Sequence, residues 1–291
     1  LREGVDTPLN IKIVRAQIKT KSVKSKMIEP DYGYVRVTQF QERTGEDLAN
    51  ALQKLSKENK YPLNGLILDM RNNPGGLLNS AVAVSAAFLE EGDLVVYTEG
   101  RATDSKMHLT TIPENFIRNN PQKNNYIKDL PKEFKNIPLV VLVNNGSASA
   151  SEIVAGALQD HERALVVGTR SFGKGSVQSI LPMNNGTAIK LTTARYFTPH
   201  GRSIQAKGID PDIIIEDGNE NIGVLREADL TNRLSNPDEK VNKESKDEIK
   251  PTSDGGEALR NFKPIELGGD EEKQYAEAVK ILKNIDKYQK K

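Results

Sequence analysis

An α/β fold with a mixed sheet and covering helices is what this sequence predicts, and three observations carry the prediction. Short apolar strands alternate with helical patterns, as in Gly65–Met70, Leu77–Glu90 and Leu94–Tyr97. The apolar run Leu139–Val143 stops at Asn144-Asn145-Gly146, and small residues then open a helical pattern, which reads as strand, tight turn, helix. The hexapeptide Arg71-Asn-Asn-Pro-Gly-Gly76 is the richest turn sequence in the chain and follows an apolar strand, where α/β proteins build sites.

The elements follow in order. Leu9–Arg15 and Ile18–Val23 alternate apolar residues with lysines and arginines and are expected as half-buried strands. Asp31-Tyr-Gly33 marks a turn before a strand Tyr34–Phe40. Thr44 is expected to cap a helix that carries Leu48, Ala51, Leu52 and Leu55 on one face, a stripe that core packing explains. Residues 99–136 are polar and weakly periodic and are expected to leave the core. Further strands are predicted at Leu139–Val143, Ala164–Val167 and Val177–Leu181, the last returning through Asn184-Asn185-Gly186 to Ala188–Thr192 as a hairpin. Residues 231–258 are dominated by Asn, Asp, Glu, Lys and Ser and read as linker. Asp270–Tyr288 closes the chain with a helix whose face of Tyr275, Val279, Leu282 and Ile285 has two destinations, its own core or a partner subunit.

Composition narrows the function. A chain of 291 residues, 36% hydrophobic, can bury a full core, so one large domain with appendages is expected. With 41 basic and 40 acidic residues there is no electrostatic case for nucleic acid. Zero cysteines remove disulfides and thiolate metal sites, which suits an oxidising compartment. No apolar run reaches the length of a transmembrane helix. The chain begins at Leu1 without methionine, so removal of an upstream segment, including any signal peptide, is expected.

Three hydroxyls, Ser147, Ser149 and Ser151, sit in the turn after Leu139–Val143, and Lys174 lies between Gly173 and Gly175 further on. A serine there exposes its hydroxyl at the sheet edge, beside the free N–H groups of a first helical turn, the arrangement of an oxyanion hole. Ala150 supplies one such donor, and the Gly75-Gly76 loop, without side chains to block approach, is a second source. Simple helix capping is the alternative use of these serines. None of the three histidines suits the role of base. His108 falls in the polar stretch, His200 in a loop, and His161 lies about 18 Å along the helix from Ser149. Lysine serves only when neutral, which requires its pKa of about 10.4 to fall by about 3 units, roughly 4 kcal/mol of desolvation. Phe172 and Val177 offer apolar cover, and Gln178 offers a neutral amide to orient the amine. Asp160, about 16 Å from Ser149 along the helix, is expected to be structural and to pair with Arg163. Gly168–Lys174 also fits part of a phosphate-binding loop. Gly175 replaces the hydroxyl residue that motif requires, and Ser176–Pro182 reads as a strand where it requires a helix.

Taken together, Leu68–Gly76, Gly146–Asp160 and Phe172–Gln178 closely resemble the carboxyl-terminal processing peptidases, also called tail-specific proteases. The resemblance runs from about Val23 to Ile215 with motif order kept. It implies a ClpP/crotonase-like protease core and a serine endopeptidase in which Ser149 is the nucleophile, Lys174 the general base and Gln178 the residue orienting it. The backbone of Ala150, Gly75 and Gly76 would form the oxyanion hole, and no metal or cofactor is implied. Residues 1–15 resemble the last strands of a PDZ domain, most of which is absent from the sequence, followed by a protease core over 16–216. A linker over 217–264 and a terminal helix over 265–291, for packing or oligomerisation, complete the division. Bacterial members of the family imply a periplasmic setting, substrates with exposed C-terminal tails, a helical-repeat adaptor and a homo-oligomer. The alternative from another class is an inactive scaffold or assembly protein on a protease fold.

Overall fold

The computed structural model describes residues 12, 14, 21–60, 62–101, 105–216, 225–231, 233–236 and 272–288. The strands expected at Leu9–Arg15 and Ile18–Val23, the PDZ remnant and most of the linker lie outside the described residues. Ten strands and four α-helices are described. A six-stranded mixed sheet has the order β1 (Val23–Glu29), β2 (Tyr32–Val37), β3 (Gly65–Asp69), β6 (Leu139–Val143), β7 (Leu165–Gly168), β10 (Ile213–Ile214). Only the β1/β2 pair is antiparallel; every other neighbour in this sheet is parallel. An antiparallel sheet orders β5 (His108–Thr110), β4 (Leu94–Gly100), β9 (Ala188–Phe197) and β8 (Ser176–Pro182).

Strands β3 and β6 are buried along their whole length, as expected of parallel strands covered on both faces. Alternation sends Leu66 and Leu68 to one face and Ile67 to the other. The first face meets α1 (Thr44–Glu58), α2 (Leu78–Ala86) and α3 (Ala150–Asp160) in the larger core. The second meets α4 (Lys273–Lys283), which buries Tyr275, Ala278, Ile281 and Leu282 against Tyr34, Ile67, Val140 and Leu142. Of the two destinations open to the terminal helix, the chain's own sheet is the one it occupies.

Several local expectations need correction. Strand β1 occupies Val23–Glu29, a stretch for which no strand was expected; its lysines sit on an edge strand, where polar residues are tolerated. Thr44 begins α1 as its first residue; its hydroxyl turns back to accept from the Gln41 N–H and does not cap the helix. The 99–136 stretch does not leave the core. It adds β5 and two short 3-10 turns and inserts Phe116, Ile117, Leu130 and Phe134 into the larger core. Asp160 pairs with Arg202 and accepts from the His200 N–H, while Arg163 instead donates to the carbonyls of Phe88 and Phe134.

Candidate functional site

Strands β3, β6 and β7 are consecutive parallel neighbours, so the loops at their C-terminal ends leave the sheet side by side. These loops are Met70–Leu77, Asn144–Ser149 and Thr169–Gly175. The topology therefore brings together motifs that stand far apart in the sequence.

The first two loops are stitched directly. Ser147 Oγ donates to the Met70 carbonyl and accepts from the Asn144 N–H. The Asn73 carbonyl accepts from the Ala148 N–H at 3.0 Å and from Ser151 Oγ at 2.9 Å. Asn144 Oδ1 accepts from the Asn72 N–H, and Asn144 Nδ2 donates to Asn72 Oδ1. Ser147 and Ser151 are thus committed to structure, while Ser149 is half-buried at the N-cap of α3, where it forms a capping box with Glu152.

Ser149 has φ 55° and ψ −110°, a backbone conformation that costs a non-glycine residue about 1–3 kcal/mol. A strained serine on a sharp strand-to-helix turn presents its hydroxyl outward, the logic of a nucleophile elbow. The surroundings enforce the strain. Its N–H donates to Glu152 Oε2 at 2.7 Å, and Gly75 presses on it from the facing loop. A Cβ on Gly75 would lie 2.7 Å from the Ala148 carbonyl oxygen and 2.9 Å from Ser149 Cβ, so glycine is required there, and its φ of 94° favours glycine as well.

Lys174 is held from its backbone. Its N–H donates to Glu152 Oε2 at 2.9 Å, the same oxygen that receives Ser149. Glu152 Oε1 accepts from Ser171 Oγ and from the Gly173 N–H, both at 2.6 Å. Glycine is needed on either side of Lys174: Gly173 has φ 100°, and a Cβ on Gly175 would meet the Gln205 backbone nitrogen at 2.3 Å. Glu152 is completely buried. Burial pushes its carboxyl up to about 7, and the hydrogen bonds from Ser171, Gly173, Ser149 and Lys174 oppose that rise.

Lys174 is half-buried and Gln178, on β8, is exposed. Among the described residues no hydrogen bond joins Ser149 Oγ, the Lys174 amine and the Gln178 amide. Ala150, as the first residue of α3, has an N–H without an acceptor among the described residues, and so does the exposed Gly76. The Gly75 N–H donates to Asn73 Oδ1 at 2.9 Å, so of the two glycines it is Gly76 whose donor is open. The phosphate-loop pattern leads into strand β8, without the helix that would bind phosphate.

Sequence reasoning missed Glu152, although Ser149-Ala-Ser-Glu152 carries the Ser-x-x-Glu signature of a capping box. It also missed Asn73 and Ser171, which carry no comparable signature.

Residues 31–215 match the model of peptidase family S41. The chain is 49% identical over 218 residues to a carboxy-terminal-processing protease of Bartonella bacilliformis, an alignment covering 74% of this chain and 45% of that protein. It is 37% identical over 219 residues to the chloroplastic carboxyl-terminal-processing peptidase 3 of Arabidopsis thaliana, covering 72% of this chain and 38% of that protein. Among solved structures, it is similar to a photosystem II D1 C-terminal processing protease with a TM-score of 0.54 and 31% identity, over 69% of this chain and 50% of that one. The chain spans less than half the length of these two curated relatives. The mixed sheet with covering helices, the match over residues 31–215 and these relatives together establish that this chain belongs to peptidase family S41.

Proposed function

We propose that this chain carries the catalytic core of a serine endopeptidase that acts on proteins recognised by their C-terminal tails, with Ser149 as nucleophile and Lys174 as general base. One observation supports this reading above others: a single carboxylate oxygen of Glu152 holds the backbone N–H groups of both residues. Two residues far apart in sequence are thereby fixed in one small volume beside two open N–H donors.

The chemistry follows from that placement. The neutral Lys174 amine takes the Ser149 proton as Oγ attacks the scissile carbonyl carbon. The tetrahedral oxyanion forms against the N–H groups of Ala150 and Gly76. Collapse breaks the C–N bond, Lys174 returns the proton to the leaving amine, and an acyl group remains on Ser149. Water, deprotonated by Lys174, releases it. Catalytic hydrogen bonds often tighten only in the substrate complex, so side chains without a hydrogen bond between them fit a resting state. A substrate lying over the loops excludes water from Lys174, and the Gln178 amide then has an amine to orient. The tail preference rests on the names of the relatives, and a periplasmic setting on the lack of cysteine and the family resemblance.

Acid quenching during turnover of an unfolded protein, followed by mass spectrometry, tests the intermediate. A substrate-derived acyl adduct on the peptide containing Ser149 is expected. Turnover with no adduct there, or an adduct on Ser147 or Ser151, overturns the assignment.

A further inference from the structure

Arg71 is completely buried at the head of the loop that carries Gly75 and Gly76, and all five of its guanidinium N–H donors are in use. Nε donates to Asp69 Oδ1 at 3.0 Å and Nη2 to Asp69 Oδ2 at 2.7 Å. The remaining three go to the chain's far end. Nη1 donates to Glu272 Oε1 at 2.6 Å and to Gln274 Oε1 at 3.2 Å, and Nη2 to Glu272 Oε2 at 3.1 Å. Glu272 stands immediately before α4, and Gln274 secures the same turn by donating to the Ile215 carbonyl at 2.9 Å. Both lie outside the residues that match the family.

Charge balance makes the contact consequential. Asp69 faces two arginines, Arg71 and Arg36, the latter at 3.8 Å from Oδ2. Glu272 adds a second carboxylate to that cluster, against Arg71. Breaking a buried pair by removing one partner is far costlier than never having built it. A buried Arg71 deprived of Glu272 loses the acceptors of two of its N–H groups. Its backbone continues into Asn72, which is bonded to Asn144, and into Asn73, whose carbonyl holds Ala148 and Ser151 beside Ser149.

We infer that Glu272 is a positioning residue for the proposed oxyanion hole: by fixing Arg71 it fixes the Asn72–Gly76 loop, which makes the C-terminal helix an integral part of the catalytic apparatus. The inference rests on the protease reading for its kinetic consequence and on geometry alone for its structural one. It predicts that segments outside the family core govern turnover, and that detaching α4 would switch the site off without touching Ser149 or Lys174.

The test compares Glu272→Ala with Lys283→Ala in the full chain. Lys283 pairs with Glu29 at the opposite end of the same helix and lies far from the loop in the hydrogen-bond network. Cleavage of an unfolded protein and amide hydrogen exchange over residues 72–77 are both measured. Glu272→Ala is expected to lower kcat about tenfold or more with KM within about twofold, and to speed exchange across 72–77; Lys283→Ala is expected to do neither. Glu272→Gln, which keeps the volume and one acceptor, carries the same comparison if the alanine variant does not fold. Unchanged exchange at 72–77 after loss of the Glu272 carboxylate, or equal effects of the two alanine variants, overturns the inference. Should cleavage by the unmodified chain prove independent of Ser149, the protease reading falls, and the exchange result still decides the role of Glu272.

Discussion

The backbone N–H groups of Ser149 and Lys174 converge on one oxygen, Glu152 Oε2, at 2.7 and 2.9 Å. The two nitrogens can therefore be no further apart than the sum of those lengths. The two residues are thus held together through their main chain.

Glu152→Ala removes the acceptor of three backbone N–H groups and one hydroxyl in a buried place, and is expected to cost about 3 kcal/mol or more in urea unfolding together with nearly all activity. The pH dependence has a definite sign. The carboxyl is raised from its ordinary 4.5 to about 7 in the folded chain, so the native state binds the proton more tightly than the unfolded chain does. The stabilisation from protonation is complete below about 4.5 and is lost as pH rises through about 7. Urea midpoints between these values should fall with rising pH, and Glu152→Gln should remove that component of the slope.

The two glycines of the facing loop should respond differently. At Gly75 a methyl group would strike the Ala148 carbonyl and Ser149 Cβ, so Gly75→Ala is expected to abolish cleavage by displacing the nucleophile turn. At Gly76 it would lie 2.0 Å from the Phe40 carbonyl oxygen, part of the bridge joining this loop to Phe40, with a φ of 147°. Gly76→Ala is expected to lower the unfolding midpoint as well as activity. Parallel melts and cleavage assays separate the two.

How much of this was legible in the sequence depended on how local each signal was. The strand, turn and helix around Ser149 could be read because Asn144-Asn145-Gly146 and the apolar run lie together. The role of Glu152 could not, since its partners Ser171, Gly173 and Lys174 arrive from the next strand's loop. Phe116, Ile117, Leu130 and Phe134 are spaced without any helical or strand period, which hid a buried stretch inside a polar one. The Arg71–Glu272 contact spans 201 residues, and although Arg71 opens the turn-rich hexapeptide, no motif marks Glu272. Asp160 was expected to pair with Arg163, but its partner proved to be Arg202, brought up by the chain beyond β9.

Gln178→Ala should alter rate without altering stability. Its side chain is exposed on β8, so the variant is expected to unfold within about 0.5 kcal/mol of the parent chain. Cleavage should nevertheless fall about tenfold or more, because an unoriented amine is a poor base. Parent-like turnover would remove Gln178 from the mechanism.

The most direct measurement follows an unfolded protein on a gel with the parent chain and with Ser149→Ala and Lys174→Ala, each checked for a cooperative unfolding transition. The account predicts that both variants fold and that neither cleaves. Cleavage retained by either folded variant would contradict a serine–lysine site.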